Sequence, residues 1–285
     1  MSPEIKEFQV NLPNVEPHKV SYAEWGAGDK LLVCLHGLTM NGRSFDWLAA
    51  ALAADYRVIC PDMPGRGKSE WLKNDKLYNN AYYVEVMKAM IASLGYEQVD
   101  WVGTSMGGLM GMILAATTPK LIRKMVLNDI GPYISSDGMR RIATYIRDEV
   151  KFPTQENAQQ RYREVYEPFK LTEEQIQHMF VIGLRQTADG QWTFNHDPNI
   201  GNQFKDENNN PIVMQEFDLW RIWDAIKIPV LVIRGEISDI LSREVAARMV
   251  QRPSTQLVEF AGYGHVPPLM NEEQIGVVKK FLLDT

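Results

Sequence analysis

The sequence predicts an α/β fold: a mostly parallel central sheet with flanking helices and an inserted, mainly helical cap. Short, continuously apolar runs alternate with amphipathic helical patterns as far as residue 132. The rhythm becomes helical or irregular over residues 133–225, and strand-like runs resume over 226–285. With 285 residues, 45% of them hydrophobic, the chain can bury a large core. These changes of rhythm divide it into a first core segment (1–132), a cap subdomain (133–225) and a second core segment (226–285).

In order, Phe8-Gln9-Val10-Asn11-Leu12 and residues 19–25 alternate partially and are separated by Pro13, Asn14 and Pro17, as for an antiparallel edge pair. Leu31-Leu32-Val33-Cys34-Leu35 and Tyr56-Arg57-Val58-Ile59-Cys60 read as strands covered on both faces. Val84, Met87, Ile91 and Leu94 recur at helical steps, and Gly95 closes that helix. Gln98-Val99-Asp100-Trp101-Val102 and Lys124-Met125-Val126-Leu127 are further strands, with a helix through Leu109, Met112, Ile113 and Ala116 between them. In the cap, Met139, Ile142, Ile146 and Val150 form one stripe, and Ala158, Tyr162 and Val165 another. A third helix begins at Thr172, whose spacing to Gln175 fits a capping box. Strands at 229–234 and 256–260, and a terminal helix, complete the chain.

Composition excludes several classes. A net charge of −6 without a dense Lys/Arg run gives no support to nucleic-acid binding. No apolar run approaches membrane-spanning length, and the first ten residues lack the apolar stretch of a secretory leader, so a cytoplasmic protein is expected. Cys34 and Cys60 lie inside apolar strands and read as reduced core residues. The five histidines show no metal-ligand spacing, so no metal and no cofactor are expected. The expected partner is a small-molecule substrate, with the chain a monomer or homodimer.

Chemistry concentrates at strand ends. Gly103-Thr104-Ser105-Met106-Gly107 falls between a strand and a helix, where flanking glycines permit a turn sharp enough to expose the serine beside the helix N-terminal N–H groups. Serine needs a base, and histidine titrates near neutrality; a carboxylate must then fix the imidazole. Ser105, Asp239 and His265 supply these groups in that order after three strands. Asp129, at the end of an earlier strand, competes with Asp239 as the acid. Asp62 reads as a loop anchor, and His36 as a brace for its own loop.

These motifs make the chain resemble the α/β-hydrolase fold superfamily, in its cap-bearing branch of esterases, enol-lactonases and carbon–carbon bond hydrolases. The resemblance spans nearly the whole chain through His36-Gly37, Asp62-x-x-Gly65-x-Gly67-x-Ser69, the Ser105 pentapeptide, the Asp239 loop and Gly264-His265. It implies a catalytic triad with Ser105 at the nucleophile elbow, His265 as general base then acid, Asp239 orienting it, and an oxyanion hole from the backbone N–H groups of Leu38 and Met106.

A serine esterase acting on a small to medium, mostly apolar ester or lactone is therefore expected. Leu38, Met40, Met106 and Met110 flank the predicted site, and Tyr133, Trp192, Phe194, Trp220 and Trp223 are expected to roof it, with no charged group among them. A carbon–carbon bond hydrolase of ring-cleavage products is the alternative, weakened by Thr104 where such elbows commonly carry Asn. A small-molecule sensor on the same fold is the alternative of another class.

Overall fold

Side-chain alternation accounts for the two-sided sheet. In a strand, successive side chains point to opposite faces, so a run buried on both must be apolar throughout. Leu31, Val33 and Leu35 join one core cluster and Leu32 and Cys34 the other; Met125 and Leu127 are likewise separated from Val126, and Val230 and Val232 from Leu231 and Ile233. The structure, a computed structural model, describes residues 2–284.

The elements in chain order are β1 (Glu4–Val10), β2 (His18–Trp25), β3 (Leu31–Leu35), α1 (Asp46–Leu52), β4 (Arg57–Pro61), α2 (Asn80–Ser93), β5 (Val99–Thr104), α3 (Met106–Thr117) and β6 (Ile122–Asn128). There follow β7 (Tyr133–Ile134), α4 (Ser136–Ile146), α5 (Gln155–Tyr166), α6 (Glu173–Gly183), β8 (Leu184–Gln186), β9 (Trp192–Phe194), β10 (Phe217–Asp218) and α7 (Trp220–Ala225). The chain closes with β11 (Val230–Gly235), α8 (Arg243–Met249), β12 (Thr255–Phe260) and α9 (Glu272–Leu283).

Eight strands form the main sheet in the order β1-β2-β4-β3-β5-β6-β11-β12. The β1–β2 and β2–β4 pairs are antiparallel, and the pairs from β4 to β12 are parallel. Residues of α2, α3 and α8 fill the core on one face and those of α1 and α9 the core on the other. After β3 the chain adds β4 on one side and β5 on the other. That reversal opens a crevice beyond the carboxyl ends of β3 and β5. Cys34 and Cys60 are buried free thiols.

Residues 133–225 contribute no strand to the main sheet. Their helices cover a third apolar cluster built on Tyr162, Tyr166, Ile176, Met179 and Phe180. The capping box at Thr172 is present, with the Thr172 and Gln175 side chains each accepting from the other residue's backbone N–H. This insertion docks on the strand-end loops by polar contacts. Asn41 Nδ2 donates to Ile182 O at 2.8 Å, Gln175 Nε2 to Met270 O at 2.9 Å, and Tyr78 Oη to Asp197 Oδ2 at 2.5 Å.

Glycine is required where α3 meets the sheet. A Cβ on Gly107 would lie 2.0 Å from the Leu35 carbonyl oxygen, and one on Gly103 would lie 2.4 Å from Gly107 O. Both obstacles are backbone, which cannot rotate aside. Gly107→Ala is expected to lower unfolding free energy by about 3 kcal/mol or more. Gly276→Ala, at an exposed position of α9 with nothing within 4 Å, should instead raise it by about 0.5–1 kcal/mol. Urea midpoints of the two variants check both signs.

Candidate active site

Ser105 occupies the turn between β5 and α3 with φ +49° and ψ −112°, a conformation side chains avoid. The turn is fixed from both sides: Ser105 N–H donates to Asn128 O at 3.0 Å, and Trp101 Nε1 donates to Gly107 O at 3.0 Å. Two further residues with positive φ adjoin it, Asp129 (+55°) just beyond β6 and Val266 (+74°) beside His265. Backbone strain therefore gathers at one place.

There Ser105 Oγ lies 3.2 Å from His265 Nε2, and His265 Nδ1 lies 2.7 Å from Asp129 Oδ2. An ionised carboxylate only accepts, so Nδ1 carries the proton and Nε2 is left to accept from the serine hydroxyl. Asp129 is wholly buried and held by several donors. Gly235 N–H donates to Oδ1 at 2.8 Å, while Ser238 Oγ at 2.6 Å and Val266 N–H at 3.3 Å donate to Oδ2.

The expectation for Asp239 is thereby corrected. Its side chain is 47% exposed and pairs with Arg141 Nε at 2.5 Å, away from His265. Because β6 and β11 are neighbours, the loops after both reach the same region. Asp129 follows β6 directly, whereas three residues separate Asp239 from the end of β11. From the Gly-x-x-Ser-Asp loop it is Ser238 that turns inward, onto Asp129.

Leu38 and Met106 sit where the β3 loop crosses the N-terminus of α3. A Cβ on Gly37 would stand 3.7 Å from Ser105 Cβ. The N–H groups of Leu38 and Met106 have no hydrogen-bond partner among the described residues. Arg66 braces both residues, and sequence reasoning missed it. Its fully buried guanidinium donates through Nε to Leu38 O at 3.0 Å, approaches Met106 Sδ with Nη2 at 3.8 Å, and lies over the Tyr83 ring. Asp62 anchors its loop by accepting from Gly42 N–H at 2.7 Å and Lys68 N–H at 2.9 Å; burial pushes its carboxyl up to about 6.

Ser105 and His265 open on a cavity of about 320 Å³ that Leu38 and Met40 also line. A second cavity of about 300 Å³ adjoins it, sharing Thr39, Tyr145, Arg161 and Tyr166 and reaching Phe194 and His196. The expected roof is otherwise corrected. Met110 is fully buried in the sheet core, and Trp223 is buried in that same core against Arg252. Trp220 lies under the Arg248 guanidinium at 3.6 Å, Tyr133 donates to Glu216 Oε2 at 2.7 Å, and Trp192 pairs with Phe152 within the insertion. Nor is the cleft free of charge: Arg141 and Arg161 line the cavity of Ser105.

Among the described residues no cluster of His, Cys, Asp and Glu has the arrangement of a metal site, and no helix is long and apolar enough to cross a membrane.

Residues 30–271 match the alpha/beta hydrolase fold family. The chain is 41% identical over 271 residues to a 3-hydroxybutyrate-oligomer hydrolase of Cupriavidus necator, covering 93% of this chain and 92% of that one. It is 30% identical over 262 residues to a 2-hydroxy-6-oxononadienedioate/2-hydroxy-6-oxononatrienedioate hydrolase of Paraburkholderia phymatum, covering 87% and 84%. An alpha/beta hydrolase structure from Novosphingobium aromaticivorans superposes with a TM-score of 0.86 at 33% identity, covering 99% of this chain and 98% of that one.

His36 provides a pH signature. Met63 N–H donates to its Nε2 at 2.9 Å, so Nδ1 carries the proton and donates to Gly37 O at 2.6 Å. Burial holds this imidazole down at about 3, against an ordinary 6.5, so it stays neutral. A histidine whose folded value is depressed stabilises the fold above its unfolded value and loses that contribution as pH falls toward the folded one. The urea midpoint is therefore expected to fall from pH 6.5 toward pH 4, and His36→Asn should flatten that slope.

Proposed function

The chain belongs to the alpha/beta hydrolase fold family, and we propose that it is a serine hydrolase cleaving carboxylic esters through an acyl-enzyme on Ser105. The observation that carries this reading is the hydrogen-bonded line from Ser105 through His265 to buried Asp129, opening on a cavity. As Ser105 Oγ attacks the ester carbonyl, His265 Nε2 takes its proton. Asp129 holds the ring in the tautomer that presents Nε2 as acceptor and stabilises the imidazolium. The unpartnered N–H groups of Leu38 and Met106 receive the oxyanion; such donors are worth about 3–4 kcal/mol each in the transition state.

His265 then returns the proton to the leaving alcohol, and water, deprotonated by the same imidazole, releases the acid from Ser105. Short oligoesters of 3-hydroxy acids are the substrates to try first. The relative from Cupriavidus necator is named for them, and two adjoining cavities suit an extended chain better than a single compact acyl group. A second reading, cleavage of a carbon–carbon bond in a ring-cleavage product, is favoured by the relative from Paraburkholderia phymatum and would use the same serine and histidine.

Steady-state hydrolysis of p-nitrophenyl esters of increasing acyl length, of 3-hydroxybutyrate dimer and trimer, and of a 2-hydroxy-6-oxo dienedioate separates the readings. Ester turnover is expected, and Ser105→Ala should reduce kcat by about 10⁴-fold or more. Dienedioate cleavage without ester turnover would promote the carbon–carbon reading. Among the candidate acids, Asp129→Asn should cost about 10³- to 10⁴-fold in kcat, and Asp239→Asn less than about tenfold. The reverse ranking would remove Asp129 from the mechanism.

A further inference from the structure

We propose that Arg141 and Arg161 form a carboxylate-binding subsite in the cavity of Ser105, so that the preferred esters carry a free carboxylate. This rests on the ester-hydrolase reading and names the substrate class within it. Arg141 comes from α4 and Arg161 from α5, and both line the cavity that holds Ser105 and His265. Arg161 also lines the adjoining cavity, which places it where the two meet. Neither cavity has an Asp or Glu among its lining residues. Two arginines therefore line the reaction space, with no carboxylate among the residues that line it.

Each is steadied from outside by one acid. Asp239 engages Arg141 Nε at 2.5 Å, and Glu164 engages Arg161 Nη1 at 2.9 Å. A guanidinium has five donor hydrogens in a planar fork. Both Nη groups of Arg141, and Nε and Nη2 of Arg161, have no hydrogen-bond partner among the described residues. Tyr145 lies 5.9 Å beneath the Arg141 guanidinium and lines both cavities, so its ring helps set the plane of the fork. A planar carboxylate accepts two parallel N–H bonds from such a fork, and methyl esterification removes that match.

The two side chains are 44% and 52% exposed. A substrate can therefore reach them, but solvent screening keeps each contribution modest. Other arginines of the insertion, such as Arg163 paired with Glu173, line neither cavity. This pair is distinguished by place rather than by residue type.

The test compares the 3-hydroxybutyrate dimer as free acid with its methyl ester, in wild type, Arg141→Gln, Arg161→Gln and Arg161→Lys. The wild-type kcat/KM ratio of acid over methyl ester is expected to exceed about tenfold, each Gln variant lowering it by about tenfold and Lys less. Circular dichroism and Tm verify that the variants fold. A wild-type ratio near one, or a ratio that neither Gln variant moves, overturns the proposal. Should wild type hydrolyse neither dimer, turnover of p-nitrophenyl esters decides the ester reading separately, and calorimetric binding of 3-hydroxybutyrate decides the subsite. A Kd weakened by Arg161→Gln sustains it, and an equal Kd or no binding overturns it.

Discussion

The site depends on one close approach, that of the N-terminus of α3 to the carboxyl end of β3. Backbone meets backbone there, with room for nothing larger than the hydrogen on Gly107 Cα. This contact brings Leu38 beside the first turn of the helix that follows Ser105, and it holds the serine in a backbone conformation it would leave if free. His36 and Arg66 are its supports. One ties the β3 loop to Met63 and Gly37, and the other ties that loop to Met106 and Tyr83. Strain of this kind persists only where its surroundings over-determine it.

Much of this was legible in the sequence because local chemistry dictates it. Apolar runs fit only a sheet covered on both faces, and a glycine two residues either side of a serine between strand and helix fits only a tight elbow. His265 was likewise readable from its place after β12. The carboxylate was not. Asp129 and Asp239 both follow strands that are neighbours in the sheet, and nothing local says which loop curls inward. The positive φ of Asp129 decides it in the folded chain, and so does the convergence of Gly235, Ser238 and Val266 on its oxygens.

In the insertion, helical stripes were readable but their destinations were not. Trp220 and Trp223 look like a ligand roof from sequence, yet α7 packs against α3, and each ring lies against an arginine guanidinium. Conversely, Arg141 and Arg161 occupy positions that any helix pattern assigns to solvent. A polar face turned over a cavity has the same sequence signature as one turned to water, so only tertiary placement tells them apart.

A division of labour between stretches of chain follows from the insertion giving no strand to the main sheet. Ser105, Asp129 and His265 come from strand-end loops, while Arg141, Arg161, Phe194 and His196 come from the insertion. Replacements within the insertion can thus reshape what enters without disturbing the groups that touch Ser105 Oγ. Such a chain can drift in diet while its cutting edge stays fixed, and grafting a foreign insertion between β6 and β11 becomes a rational way to retarget it.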